Sequence, residues 1–217
     1  MTPIVKKIGV EIFLLIFTIL VIRACLPEKS HLGNIEHKTS GQQIVIVPMT
    51  GIPMLFLQNL EEAIELQHQT DVLVTTAMGK GVEMLLKNSD QYDASYLANL
   101  GLDIGGRIKR KNAYIIVLTN EDINYSKSGF RYVFSSHYDG VSVISLARVN
   151  PINFGARLGL IAVPFTEEKI QQRAIKLINK ALGYGLYQYE ASSNINNVMY
   201  GPIMSLDDLD RVGSWYK

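Results

Sequence analysis

The sequence predicts an α/β fold: a mixed twisted sheet packed with helices, preceded by one N-terminal hydrophobic segment. Short β-branched runs alternate with amphipathic helical patterns, and a nearly uninterrupted apolar stretch lies close to the N-terminus. A length of 217 residues suits one domain of ordinary size. We therefore divide the chain into a hydrophobic leader (1–25), a polar tether (26–41) and a folded domain (42–217).

The composition excludes several classes of function. A net charge of +1 offers no overall attraction to nucleic acid, so no nucleic-acid partner is expected. One cysteine excludes an intramolecular disulfide framework and any multi-cysteine zinc site. The four histidines leave few ways to build a metal centre, so their positions in the chain matter.

The leader carries Lys6 and Lys7, then an apolar run over residues 8–22 that is shorter than the ~20 residues of a membrane-spanning helix. This order is typical of a secretory signal. The run ends in Ile-Arg-Ala-Cys, which resembles a bacterial lipoprotein signal. In such signals the cysteine, here Cys25, becomes the lipid-bearing first residue of the mature protein. Cys25 is the chain's single cysteine, which favours this interpretation.

An uncleaved signal anchor is the alternative for the leader. Its basic flank would keep the N-terminus in the cytoplasm, and Arg23 would reach the far interface. Either interpretation predicts a membrane-tethered, extracytoplasmic or periplasmic domain with a protein partner in the envelope. A plain core helix is disfavoured by the position at the extreme N-terminus. The polar, aperiodic tether holds His31 and His37, whose spacing is a weak metal signal.

The first half of the domain begins with a strand at 42–48 (QQIVIVP), followed by an amphipathic helix at 54–67 and a strand at 71–76. This order favours parallel strands joined by a right-handed crossover. A short helix at 82–87 and a longer one at 92–102 are expected to follow.

The second half contains the most apolar strand, 114–119 (YIIVLT), which predicts a central place in the sheet. A polar loop follows it at 120–129. Two strands are then expected at 130–134 and 141–146, and the segment 135–140 joins them.

Helices dominate the C-terminal part. After a possible strand at 158–163, the longest helical pattern covers 166–187, where Thr166 supplies an N-cap ahead of two glutamates. A loop follows at 189–198, and a last short helix is expected at 206–215.

Four segments carry a resemblance to a known family: 44–48, the helix beginning QYDASYLANL, the strand and turn VLTNEDI, and the strand 130–134 followed by VSVISLAR at 141–148. Together they resemble the archaemetzincin family of zinc metallopeptidases, over residues 42–215. The resemblance implies a metzincin-like fold. It also implies a helix bearing H-E-x-x-H-x-x-G-x-x-H and a downstream methionine turn.

In that motif two histidines one helical turn apart bind zinc, the glutamate acts as general base, and the glycine turns the chain toward a third histidine. Aligned on Gly185, the motif falls here on Ile178, Asn179, Leu182, Gly185 and Gln188, and the methionine turn falls on Met199. No histidine follows His137, and the family's cysteine-bound second zinc would begin at Tyr189. The sequence therefore predicts no catalytic metal and no cofactor. Ile178 and Leu182 are expected to fill the volume that metal and imidazoles would occupy.

Other chemistry has weaker support. His137 lies near Ser135, Ser136 and Asp139, which leaves open a hydrolase with His137 as base, although a polar hairpin turn is favoured. His68 ends a helix, where a cation suits the dipole.

A tyrosine-rich segment and a basic run are two further candidates for a binding surface. Tyr184, Tyr187 and Tyr189 either line the former cleft and bind a peptide or cover the helix end. The basic run 107–111 could contact lipid head groups but favours a solvated loop.

The sequence thus favours a membrane-tethered, catalytically inactive relative of a zinc peptidase, a pseudo-metallopeptidase that acts as a binding or structural subunit of an envelope complex. The alternatives are an active hydrolase with a different set of residues, and a purely structural subunit. In the structural subunit the leader itself packs against membrane proteins, because Glu11 inside an apolar run needs a partner.

Overall fold

A computed structural model describes residues 43–108, 112–126, 128–149 and 167–217. The leader with Cys25, the tether with His31 and His37, and the predicted strand at 158–163 lie outside the described residues, as does the N-cap at Thr166. No helix in the described ranges combines the length and the apolar character that crossing a membrane requires.

The domain is built on a mixed sheet, as predicted. This sheet has five strands among the described residues. The strands along the chain are β1 (Gln43–Pro48), β2 (Val72–Val74), β3 (Tyr92–Asp93), β4 (Ala113–Thr119), β5 (Ile123–Asn124), β6 (Ser135–Tyr138) and β7 (Val141–Ser145). The main sheet has the order β2-β1-β4-β7-β6, in which only β6 is antiparallel to its neighbour. β4 occupies the centre, as its unbroken apolar run predicts. β3 and β5 form a separate parallel pair.

The described residues form four helices: α1 (Met54–His68), α2 (Ala94–Arg107) and α3 (Glu167–Gly185) contact strands of the sheet, and α4 (Leu206–Arg211) contacts α3. The predicted parallel strand–helix–strand unit is present as β1, α1 and β2. α2 begins after Asp93, whose carboxylate accepts a hydrogen bond of 2.9 Å from the backbone N–H of Ser95. It runs past its predicted end at residue 102.

Strand β1 buries both of its faces. On one face Ile44 and Ile46 of β1 pack in a core that includes the buried sides of α1 and α3. On the other face Val45 and Val47 pack in a core that includes α2. Because side chains alternate across a strand, helices on both faces explain why β1 is apolar without alternation.

The predicted strand at 130–134 is wrong. The strand is β6, inside the segment expected to be a connection, and the hairpin turn is at Asp139 and Gly140. The aromatic side chains of 130–134 serve other contacts, because Tyr132 lies under the Arg148 guanidinium at 3.8 Å and Phe134 is buried. Within the segment only Val133 forms a β-bridge, to Ile123.

Smaller differences concern element ends. The loop expected at 120–129 contains β5, the helix expected at 82–87 is a single 3-10 turn over Val82–Met84, and the last helix ends at Arg211. β2 is shorter than predicted, and Tyr92 and Asp93 form β3 ahead of the helix. Each of these segments is short, so its backbone partner decides its structure more than its own side chains do.

A buried ion pair joins α3 to α4. The Arg173 guanidinium is 3% exposed and donates two hydrogen bonds of 2.7 Å to the Asp210 carboxylate. It also donates to the backbone carbonyl of Val149 at 3.1 Å. The hydrogen bonds from Arg173 hold the pKa of Asp210 at about 2, with a further contribution from Lys169.

Candidate functional site

The motif positions on α3 point to two different parts of the interior. Ile178 and Leu182 are fully buried in the core shared with α1 and the sheet, where they are packed as interior side chains. Asn179 is also fully buried but faces the end of α1 and the C-terminal segment. These three side chains therefore do not converge on one open pocket.

Asn179 is the centre of a buried polar network. Its Nδ2 donates to Gln67 Oε1 at 3.0 Å and to the Ser214 carbonyl at 2.8 Å, so its Oδ1 is left as an acceptor. That oxygen lies 2.9 Å from His68 Nε2, and His68 Nδ1 lies 2.7 Å from the Tyr187 hydroxyl. Because Asn179 Oδ1 only accepts, His68 Nε2 is the donor, and Nδ1 shares the second hydrogen bond with the Tyr187 hydroxyl.

His68 therefore differs from its prediction. A structural role was expected, as a cation at the exposed end of a helix, but the side chain is buried and held between two helices. The aromatic rings of Tyr187, Trp215 and Tyr216 surround it, with ring centroids 5.0 to 6.5 Å away. No local pattern predicts this burial, because the partners lie more than 100 residues further along the chain.

The chain turns at Gln188, three residues beyond Gly185, which is the last residue of α3. Gly185 is still helical, whereas Gln188 adopts a left-handed conformation with φ of 56°. The N–H of Tyr189 then donates to the Gly183 carbonyl at 2.8 Å, which caps the helix end. Met199 lies directly beneath the helix, because a Cβ on Gly183 would come within 2.2 Å of its sulfur.

Gly185 permits a close contact with the sheet. A Cβ at this position would lie 2.0 Å from the Tyr114 hydroxyl oxygen, so only glycine fits against the phenol ring. Tyr114 is a buried residue of β4, and its hydroxyl is 2.7 Å from Ser142 Oγ on β7.

A groove of about 630 Å³ lies between β6 and α3. Side chains of Ser135 and His137 line one side, and Leu177, Lys180 and Tyr184 line the other. The remaining wall is formed by residues 130–134, Ala191 and residues 201–204. Ile178 and Leu182 are buried, yet a groove is present beside them. Leu177, Lys180 and Tyr184, their neighbours on α3, line this groove.

His137 belongs to a chain of side-chain contacts that runs from the groove into the sheet. Its Nε2 is 3.2 Å from Ser135 Oγ, and its Nδ1 is 2.7 Å from Ser142 Oγ, which in turn contacts the Tyr114 hydroxyl. Burial, with a smaller contribution from the nearby charge of Lys180, lowers the pKa of His137 to about 4. The ring is therefore neutral at pH 7. Asp139 is at the hairpin turn, and no contact given by the structure joins it to this chain.

Lys180 is a buried lysine in the groove. It is 8% exposed and donates a hydrogen bond to the backbone carbonyl of Tyr200. Its ammonium group also lies 5.9 Å from the centre of the Tyr184 ring. Burial lowers the pKa of Lys180 to about 8. No carboxylate forms an ion pair with it in the described part of the chain.

The groove follows the β6 edge of the sheet, which no other strand of the described residues covers. β6 is the last strand in the sheet order, and the backbone N–H of Ser145 on β7 donates to the Phe134 carbonyl. Since bonded and outward-pointing residues alternate in an antiparallel pair, the backbone groups of Ser135 and His137 point away from β7.

The predicted tyrosine cluster is divided between two environments. Tyr184 lines the groove, whereas Tyr187 and Tyr189 stack on one another and pack against Tyr216. Tyr184 therefore lies in the groove, while Tyr187 and Tyr189 cover the end of the helix; whether Tyr184 contacts a peptide stays a prediction. Residues 109–111 of the basic run lie outside the described residues.

No group of three or more histidine, cysteine, aspartate or glutamate side chains suited to a metal occurs among residues 43–108, 112–126, 128–149 and 167–217. The side chains at the zinc-motif positions, on α3 and just after it, are aliphatic, amide or small. They do not fit a zinc ion, which requires nitrogen, sulfur or carboxylate ligands.

Comparison with solved structures identifies the fold. The archaemetzincin of Archaeoglobus fulgidus, solved with malonate, matches with a TM-score of 0.61 and 19% identity, over 81% of this chain and 95% of that one. The archaemetzincin of Methanopyrus kandleri matches with a TM-score of 0.62 and 21% identity, over 88% and 92%. This chain has the archaemetzincin fold.

A third structure with this fold is a zinc-dependent peptidase from Methanocorpusculum labreanum, with a TM-score of 0.64 and 21% identity, over 80% of this chain and 95% of that one. No protein-family model matches the sequence, and no curated protein matches it. The archaemetzincin fold therefore confirms the resemblance drawn from the four sequence segments.

Proposed function

We propose that this chain is a membrane-tethered, catalytically inactive protein of archaemetzincin fold that binds an extended segment of an envelope protein. The observation that carries the proposal is the pairing of two features on α3. The motif positions hold side chains that cannot bind zinc. A groove nevertheless lies between α3 and β6, at the edge of the sheet.

The left-handed turn at Gln188 supports a second alignment of the zinc motif. If Gln188 stands where the motif's glycine turns the chain, the three histidine positions fall on Ala181, Gly185 and Ala191. The base then falls on Leu182. In this alignment small residues replace every imidazole, and Tyr114 fills the space beside Gly185. Neither alignment supplies a metal ligand or a base.

The groove offers what an extended peptide needs. Its floor includes outward-pointing backbone groups on β6, which can pair with an added strand. Apolar side chains rim it, since Phe130 is 49% exposed and Met204 is 54% exposed. Exposed apolar groups around a concave polar edge are typical of interaction sites.

Metal analysis of the purified full-length chain tests catalytic inactivity. We expect no stoichiometric zinc after purification with zinc in the growth medium, with an archaemetzincin prepared in parallel as positive control. One equivalent of tightly bound zinc would overturn the pseudo-metallopeptidase proposal.

Photocrosslinking in the native membrane tests the binding role. A photoreactive residue in place of Phe130 should give a discrete protein adduct, whereas the same residue in place of Leu66 should not. Leu66 is the matched control, because it is an exposed apolar residue on α1 outside the groove. Equal adducts at both positions, or none at Phe130, would contradict a partner in the groove.

The tether is proposed from the leader sequence alone. Incorporation of radiolabelled lipid that is lost in Cys25→Ser would establish a lipoprotein. Membrane retention without lipid would favour the uncleaved anchor, and release of the unlabelled chain into the soluble fraction would contradict both.

A second candidate function is hydrolysis by Ser135 and His137, favoured by the 3.2 Å distance between Ser135 Oγ and His137 Nε2. It ranks second because an imidazole with a pKa of about 4 is a weak base at neutral pH. Ester or peptide hydrolysis that Ser135→Ala abolishes and Ser136→Ala retains would establish it. Absence of hydrolysis in the unmodified chain would exclude it.

A further inference from the structure

Lys180 is a buried cation whose hydrogen-bonding capacity is only partly used. An ammonium group has three donors, and one of them serves the Tyr200 carbonyl. Within the described ranges no acidic side chain pairs with it. Burying a charge without an opposite charge is costly, so a folded protein gains free energy when a ligand supplies one.

The rest of the groove has the same electrostatic character. Among the described residues that line it, Arg131 is the other charged one, and none is aspartate or glutamate. Its walls are otherwise dominated by aromatic and aliphatic side chains, among them Phe134, Leu177 and Ile203. The lining is thus complementary to an occupant that is apolar but carries negative charge at one point.

The placement of Lys180 decides which part of a peptide would supply that charge. Ser135 and His137 of β6 direct their side chains to the same groove as Lys180 of α3. A strand added at the open edge of β6 would direct every second side chain to this side as well. A side-chain carboxylate at one such position would face Lys180, and its neighbours two residues away would face the apolar walls.

We propose that the groove selects an extended peptide with an aspartate or glutamate flanked at alternate positions by apolar residues, and that Lys180 binds the carboxylate. This proposal rests on the peptide-binding function proposed above, which it deepens by naming the chemistry of the partner segment. A charge-assisted hydrogen bond in a half-buried groove is expected to favour the acidic peptide by about tenfold or more.

The test uses two short capped peptides that differ only in whether one side chain ends in a carboxylate or an amide. Both are acetylated and amidated and carry leucines two residues before and after the central position, which is glutamate in one and glutamine in the other. Titration into the full-length chain in detergent should give at least about tenfold tighter binding of the glutamate peptide.

Variants separate the role of Lys180 from general effects of charge. Lys180→Met keeps the length and the apolar stem, and it should bring the two peptides to equal affinity. Lys180→Arg should keep the preference for glutamate. Lys87→Met, a change at an exposed lysine outside the groove, should leave both affinities unchanged.

The outcomes distinguish the two levels of the proposal. Equal binding of both peptides by the unmodified chain would overturn the role of Lys180 and leave strand addition standing. A preference that persists in Lys180→Met would overturn it as well. Failure of both peptides to bind, together with the absence of a Phe130 adduct, would overturn peptide binding itself.

Discussion

His68 Nε2 and Asn179 Oδ1 lie 2.9 Å apart, and this hydrogen bond joins the last residue of α1 to the middle of α3. The contact spans 111 positions of sequence and is buried on all sides. Tyr216 adds to it, because its hydroxyl donates to the Asn179 backbone carbonyl at 2.5 Å. The C-terminal segment and the two helices are therefore held at one polar point.

The first prediction concerns this network. Asn179→Ala should lower the free energy of unfolding by about 2–4 kcal/mol, because it removes the acceptor of His68 Nε2 and the donor to the Ser214 carbonyl and opens a small cavity. A double-mutant cycle with His68→Ala, measured by urea unfolding, should give a coupling of about 0.5–3 kcal/mol. Asn99→Ala on the exposed face of α2 is the control and should change stability by less than about 0.5 kcal/mol. Additive effects of the two network substitutions would contradict the coupling.

The second prediction concerns His137 and pH. Its pKa falls from 6.5 in the unfolded chain to about 4 in the fold, so the unfolded state binds the proton more tightly. The stabilising contribution is full above pH 6.5 and is lost as the pH falls toward 4. It amounts to about 3 kcal/mol at most, and less where the groove admits water. His137→Gln should remove this part of the pH dependence in urea titrations at several pH values. A variant whose stability follows the same pH curve as the unmodified chain would refute the assignment.

The third prediction concerns the ion pair between Arg173 and Asp210. The pKa of Asp210 is depressed to about 2, so its contribution is present above the ordinary value near 4 and is lost as the pH falls through 2. Asp210→Asn should cost about 2–3 kcal/mol at pH 7, because the Arg173 guanidinium is buried, and almost nothing at pH 2. Asp103→Asn, at an exposed position of α2, serves as control and should have little effect at either pH. An equal cost of Asp210→Asn at pH 7 and pH 2 would show that the charge is not responsible.

The fourth prediction compares two helical glycines. Gly185→Ala should destabilise the domain by about 1–3 kcal/mol, because the added methyl would overlap the Tyr114 phenol. Gly106→Ala meets no atom within 4 Å and lies in α2, so it should be neutral or stabilising by up to about 1 kcal/mol. Thermal unfolding of the two variants under identical conditions makes the comparison. Equal shifts in Tm would mean that the Tyr114 contact is not tight.

The sequence was informative wherever one segment carried its own signal. The apolar runs of β1, β4 and β7 and the periodicity of α1 and α3 each predict an element that the structure contains. These elements bury continuous apolar surface, so their residue types are dictated locally. Three of the segments that resemble archaemetzincins include parts of β1, β4 and β7, and the fourth lies on β3 and α2, which is why the fold could be inferred.

The sequence was less informative where backbone pairing or distant contacts decide the structure. Phe-Arg-Tyr-Val-Phe at 130–134 alternates like a strand but serves as a wall of the groove, whereas Ser-Ser-His-Tyr of β6 pairs with β7 without apolar side chains. No local pattern predicts that Lys180 and His68 are buried. Their burial depends on Tyr200 and on Asn179, Tyr187 and the C-terminal aromatics, partners that only the folded chain brings together.

The contact between Tyr114 and Gly185 bears on whether a zinc ligand could be introduced into this helix. A histidine introduced at position 185 would have to displace the phenol ring, and Tyr114 cannot move without breaking its contact with Ser142 and, through it, with His137. Histidines at Ile178 and Leu182 would instead place imidazoles in a fully buried aliphatic core. A histidine at any of these three buried positions would thus destabilise the fold before a metal could bind. The packing of the interior, and not only the identity of the side chains, opposes a zinc ligand at each of them.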